Sequence, residues 1–109
     1  MEYLISEPLA PEKATEVINE ITTYADCIVD LTSHCQEKML ERGFDFQDIL
    51  LILSNGTVNS PSEYDKNHNH YKYKVEGSTL DGDDAVIVTI ILDSRTLRVV
   101  TIYQKGGQP

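Results

Sequence analysis

The chain has no tryptophan, only two cysteines, and nine lysines and arginines against eighteen aspartates and glutamates. Each shortage narrows the field. A formal net charge of −9 argues against a nucleic-acid binder driven by general electrostatics, because such proteins neutralise the phosphate backbone with an excess of base. Cys27 and Cys35 stand eight residues apart without Cys-x-x-Cys spacing, which indicates neither a zinc knuckle nor a disulfide framework. Reduced, packing thiols are expected. No apolar run approaches the ~20 residues that span a bilayer, and residues 1–8 lack the basic start and long apolar middle of a signal peptide. The expected address is cytoplasmic, with no membrane contact. Gly-rich phosphate loops, GxSxG elbows and HExxH pairs are missing too, so no cofactor and no metal are expected.

What is present reads as one domain of 109 residues, enough for a single hydrophobic core. Residues 1–33 hold seven acids against Lys13 alone, whereas residues 34–109 hold eleven acids and eight bases. The acidity is concentrated at the start, as a solvated helix face or as a docking surface for a basic partner. Pro11 and the spacing of Ala14, Val17, Ile18 and Ile21 predict an amphipathic helix from 11 to about 25. Residues 27–31 are short and β-branched, and an extended link is expected there. Ser33 with Gln36 forms a capping-box pattern, which predicts a helix from His34 to Gly43; Asp45 with Asp48 marks another helix that ends at Asn55-Gly56. Residues 60–70 have loop chemistry, and residues 71–75, 85–92 and 97–104 read as strands with short connections. The expected fold is α+β: two or three N-terminal helices packed on a three- to four-stranded antiparallel sheet, with residues 86–92 as its central strand.

The run from residue 34 to 56, HCQEKMLERGFDFQDILLILSNG, resembles the bacterial family known as domain of unknown function 4258, whose pattern is a His-Ala opening, an Arg-Met pair, Glu-Arg-Gly and a helix ending in Asn-Gly. LRVVTIY, near the C-terminus, resembles that family's closing strand. Cys35 stands where Ala is usual and Lys38 where Arg is usual. The similarity covers about residues 28–104 and leaves 1–27 as an acidic helical extension. It implies a fold similar to small ribonuclease toxins of the RelE and barnase type, often encoded beside an antitoxin. RNA is then the expected substrate, cut without metal, and an antitoxin or another basic protein is the expected partner. The competing expectation is a non-enzymatic acidic interaction protein that binds a basic partner through its N-terminal helix.

A metal-free cut needs a base for the RNA 2′-hydroxyl, cations for the phosphate and an acid for the leaving oxygen. His34, Lys38 and Arg42 recur at four-residue spacing and so share one side of a helix; His34 is the candidate base and Arg42 the candidate phosphate clamp. Tyr103 on the last strand is the candidate phenol. The bland alternative is that Glu37 and Glu41 neutralise these bases as surface pairs. Lys72, Lys74 and Arg98 are candidate nucleic-acid contacts on a strand face, with Tyr71 and Tyr73 alternating to the other side. His68 and His70 with Asp65 invite a metal reading, yet a usable site needs three or four ligands, and a polar loop is the simpler expectation. Asp81-Gly82-Asp83-Asp84 lacks the ligand spacing of a calcium loop and reads as a hairpin turn.

Overall fold

Pro11, whose missing amide hydrogen costs nothing in a first turn, opens helix α1 (Pro11–Ile21), and Ala14, Val17, Ile18 and Ile21 form one buried stripe along it. This is a computed structural model, and it describes residues 8–67 and 69–109, so Glu2, Glu7 and His68 lie outside the described residues. Helix α1 stops at Ile21, short of the expected residue 25. The hydroxyls of Thr22 and Thr23 turn back onto the carbonyls of Asn19 and Glu20 at 2.7 and 2.6 Å, local bonds that compete with another helical turn.

The expected extended link is instead strand β1 (Ile28–Leu31). Helix α2 (Ser33–Arg42) begins one residue earlier than predicted, because Thr32 is its cap: the hydroxyl accepts from the Cys35 amide at 3.1 Å. Ser33 therefore sits inside the first turn, and the Gln36 amide donates to the Leu31 carbonyl at 3.2 Å. Gly43, at φ 74°, closes the helix in the left-handed conformation that glycine adopts without penalty. Asp45 and Asp48 cap helix α3 (Phe46–Asn55) reciprocally, each carboxylate accepting the other's amide at 3.0 Å.

The remaining strands are β2 (Thr57–Val58), β3 (Glu63–Asp65), β4 (His70–Ser78), β5 (Asp84–Asp93) and β6 (Thr96–Gln104). They form a six-stranded sheet in the order β1-β6-β5-β4-β2, with β3 also paired to β4. This corrects the expected three- to four-stranded antiparallel sheet. The sheet is mixed, since β1 runs parallel to β6 while the other pairs are antiparallel. The missed strands are those of four, two and three residues, too short to show a period of their own. Pairing makes them strands, across the chain for β1 and β2 and across a short hairpin for β3.

The three helices of the described residues pack on one face of the sheet. Ile18, Ile49, Ile52 and Leu53 meet Val75, Ile87, Leu97, Val99 and Ile102 in one cluster, and burying a side chain of this size contributes roughly 1.5–3 kcal/mol. Close approach at the α3–β2 corner needs a glycine, because a Cβ on Gly56 would lie 2.4 Å from the Ile52 carbonyl oxygen and 2.8 Å from that of Glu76.

One irregularity decides which residues face the helices. Val88 pairs with Thr101 but Thr89 pairs with Val99, so Val100 is the extra residue of a β-bulge. Side-chain alternation along β6 reverses there. Leu97, Val99 and then Ile102 point to the helices, whereas Thr101 and Tyr103 turn to the other face, where Tyr103 clusters with Val86 and Val88.

Candidate functional site

The face that the helices leave free is crossed by three registered rows of side chains. Lys72, Ile90, Arg98 and Asp30 form the first; Lys74, Val88 and Thr101 the second; Glu76, Val86 and Tyr103 the third. Apolar residues make the floor and longer charged ones stand around it, their stems covering the floor as Lys and Arg side chains do. The candidate contacts Lys72, Lys74 and Arg98 therefore share one face, and Tyr73 lies on the other, in the helix-side core. Arg98 holds Asp30 at 2.8 Å and Lys74 holds Glu63 at 3.6 Å. Both pairs are substantially exposed to water, where such contacts are weak.

Beside this face, α2 is tied to β6 at both its ends. Strand β1 covers β6 only as far as Val99. Beyond that point Thr32 takes over, its amide donating to the Val99 carbonyl at 3.1 Å and its hydroxyl to that of Val100 at 2.9 Å. Arg42, at the other end of the helix, donates from Nη1 to the Ile102 carbonyl at 2.8 Å. Arg42 and Tyr103 then line one cavity of about 200 Å³ together with Gln104, Gly107 and Gln108. A guanidinium and a phenol share it, with no carboxylate or imidazole among its lining residues.

The four residues proposed for chemistry are thus brought together only in part. Arg42 and Tyr103 meet at the cavity. His34 is exposed in the first turn of α2, eight residues and about 12 Å of helix rise from Arg42. Lys38 directs its ammonium to Glu41 at 3.1 Å, the surface pair that the interleaved glutamates foreshadowed. His70 opens β4, and among the described residues there is no group of three or more His, Cys, Asp or Glu side chains that could hold a metal ion. Two other cavities carry less chemistry. One of about 450 Å³ between α1 and β2 has Glu12 as its only charged lining residue, and one of about 260 Å³ contains Lys105 already bound to Glu76 at 3.1 Å.

Sequence reasoning missed Thr101, which lies two residues before Tyr103. It is 4 % exposed, and its hydroxyl has no hydrogen-bond partner among the described residues. Strict alternation from Leu97 and Val99 would assign Thr101 and Tyr103 to the core, and the bulge at Val100 is what turns them away. On the helix side burial acts on a thiol and a phenol instead. Burial pushes the Cys35 thiol up to about 11 from an ordinary 9.0, and it raises the Tyr73 phenol, whose oxygen accepts the Leu9 amide at 2.9 Å.

These features define an α+β protein with helices on one face of a mixed sheet and a cation-fringed, largely helix-free face on the other. The family model described as "Domain of unknown function (DUF4258)" matches residues 31–104, and the chain belongs to that family. Neither a search of curated proteins nor one of solved structures found a match. The matched segment begins at the end of β1, so α1 lies outside it while packing in the same core. No helix among the described residues is long and apolar enough to cross a membrane.

Proposed function

We propose that this chain is a toxin-like, metal-independent ribonuclease domain of the RelE or barnase kind, belonging to a bacterial toxin-antitoxin system and working on RNA at the Arg42–Tyr103 cavity. The observation that carries this reading is the shared cavity itself, set beside a sheet face bearing Lys72, Lys74 and Arg98. The bond to Ile102 uses one guanidinium donor and leaves the others for a phosphate, which the planar fork of arginine suits. In the reaction the 2′-oxygen attacks phosphorus and the bond to the 5′-oxygen breaks, giving a 2′,3′-cyclic phosphate and a free 5′-hydroxyl. Arg42 stabilises the charge that builds on the phosphoryl oxygens. The Tyr103 phenol protonates the departing 5′-oxygen and later recovers a proton from solvent, while the 2′-hydroxyl proton passes to water. With no imidazole or carboxylate lining the cavity to act as base, turnover is slow.

The test is cleavage of single-stranded RNA by the purified chain in the presence of a chelator. Arg42→Ala lowers the rate by about 10²–10³-fold, and Arg42→Lys, which keeps the charge without the fork, recovers only part of it. Tyr103→Phe lowers it by about 10²-fold with little change in melting temperature, whereas His34→Ala leaves it nearly unchanged. RNA bound but uncut would identify an inactive relative of such enzymes. RNA neither bound nor cut would sink the reading, and the exposed carboxylates Glu12, Glu16 and Glu20 on α1 would then favour an acidic protein that docks a basic partner.

A further inference from the structure

We propose that Thr101 is the residue by which this site distinguishes RNA from DNA, its hydroxyl pairing with the ribose 2′-hydroxyl of a strand laid across the face that the helices leave free. The inference rests on the ribonuclease reading above and deepens it.

Thr101 stands out because its buried hydroxyl makes no hydrogen bond among the described residues. The other buried threonines of the sheet and its turns are satisfied: Thr89 donates to the Arg98 carbonyl at 2.9 Å, and Thr79 accepts the Asp83 amide at 3.1 Å. Thr101 Oγ1 alone, among the buried side-chain nitrogens and oxygens of the described residues, has no partner. Leaving a buried hydroxyl unsatisfied costs at least as much as a typical hydrogen bond contributes, and a valine, like neighbouring Val99 and Val100, fills the same volume without that cost. The position matters as much as the chemistry. Thr101 precedes Tyr103 by two residues on the same face, which strand geometry makes a separation of about 7 Å, so the hydroxyl lies within a nucleotide of the cavity where Arg42 waits.

The cations nearest in register lie on the same face. Lys74 shares its row and Arg98 stands in the next, and each is held by an exposed carboxylate, Glu63 and Asp30 respectively. Phosphate oxygens compete with both carboxylates for these cations, which draws a nucleic-acid strand along the rows that hold Thr101. A threonine hydroxyl both donates and accepts, as does the 2′-hydroxyl, the group by which a protein tells RNA from DNA.

The full chain is tested against a labelled single-stranded RNA and the DNA of the same sequence, by fluorescence anisotropy, with thermal melting of each variant alongside. Wild type prefers RNA. Thr101→Val melts at the same temperature or higher and loses about tenfold of that preference, while Thr101→Ser, which keeps the hydroxyl, retains it. An unchanged preference in Thr101→Val overturns the inference while leaving the ribonuclease reading intact. A valine variant that melts lower with its preference unaltered assigns the hydroxyl to an internal hydrogen bond and also overturns it. Wild type that binds neither strand removes both.

Discussion

On the helix side of the sheet, Val75, Ile87, Leu97, Val99 and Ile102 are at most 1 % exposed and meet side chains from all three helices. On the other side Ile90 is fully buried, while Val86, Val88 and Tyr103 are 4–7 % exposed and meet mainly one another and Val100, within a fringe of lysine, arginine and carboxylate. The same strands build both. Strand β5 supplies apolar side chains in both directions, so its hydrophobicity does not distinguish the faces; what packs against each side does. The helix side spends its chemistry on burial, which raises the Cys35 thiol and the Tyr73 phenol and favours their neutral forms. The other side has Tyr103 and Thr101 nearly buried, the phenol lining a cavity with the Arg42 guanidinium and the Thr101 hydroxyl without a hydrogen-bond partner among the described residues.

The largest effect expected from breaking this contrast is in stability. Ile87→Ala should cost about 2–5 kcal/mol, because the cavity it leaves is walled by helices and sheet together. Val88→Ala, one residue on and facing the other way, should cost nearer 1.5 kcal/mol, the transfer value of the atoms removed. Urea denaturation compares the two directly, and equal losses would mean that the second face is packed as firmly as the first.

A middle-sized effect follows from the raised Cys35 thiol. Its folded pKa of about 11 lies above the ordinary 9.0, so the unfolded chain loses this proton first. The thiol's contribution to stability is therefore complete below pH 9, falls as pH rises from 9 to about 11, and is gone above that. Chemical denaturation across this range should show the decline, with Cys35→Ala reducing its depth. A profile that Cys35→Ala leaves unaltered would contradict the thiol's burial. The raised Tyr73 phenol acts in the same direction and accounts for what remains.

The smallest stability change belongs to the charged fringe, and there it sharpens the contrast by moving function instead. Asp30→Asn removes the partner of Arg98 and should shift stability by no more than about 1 kcal/mol, since the pair is substantially exposed. RNA affinity should rise, most clearly at low salt, because the freed guanidinium no longer has to exchange a carboxylate for a phosphate. Weaker RNA binding by Asp30→Asn would remove this face from the RNA path.

Local features made much of the scaffold legible. Pro11, the stripe from Ala14 to Ile21, the Asp45–Asp48 box and Gly43 announce helices through contacts within a turn or two of themselves. The three longest strands have enough apolar residues to be recognised alone. Strands β1, β2 and β3 were not legible, since each is defined by a partner elsewhere in the chain. The candidate site was half visible for a related reason. Helical spacing rightly aligned His34, Lys38 and Arg42 along α2, yet how far each lies from β6 depends on the placement of the whole helix, and only Arg42 reaches the last strand.

The sequence by itself determined an acidic α+β domain with three helices, placed within a few residues of the observed 11–21, 33–42 and 46–55, because helix caps and hydrophobic periods act over a few residues. Tertiary structure alone decided the parallel seat of β1, the side on which the helices lie, and the bulge at Val100 that turns Thr101 and Tyr103 away from the core. Register is a relation between segments far apart in the chain, and a slip of one residue exchanges the two faces of a strand.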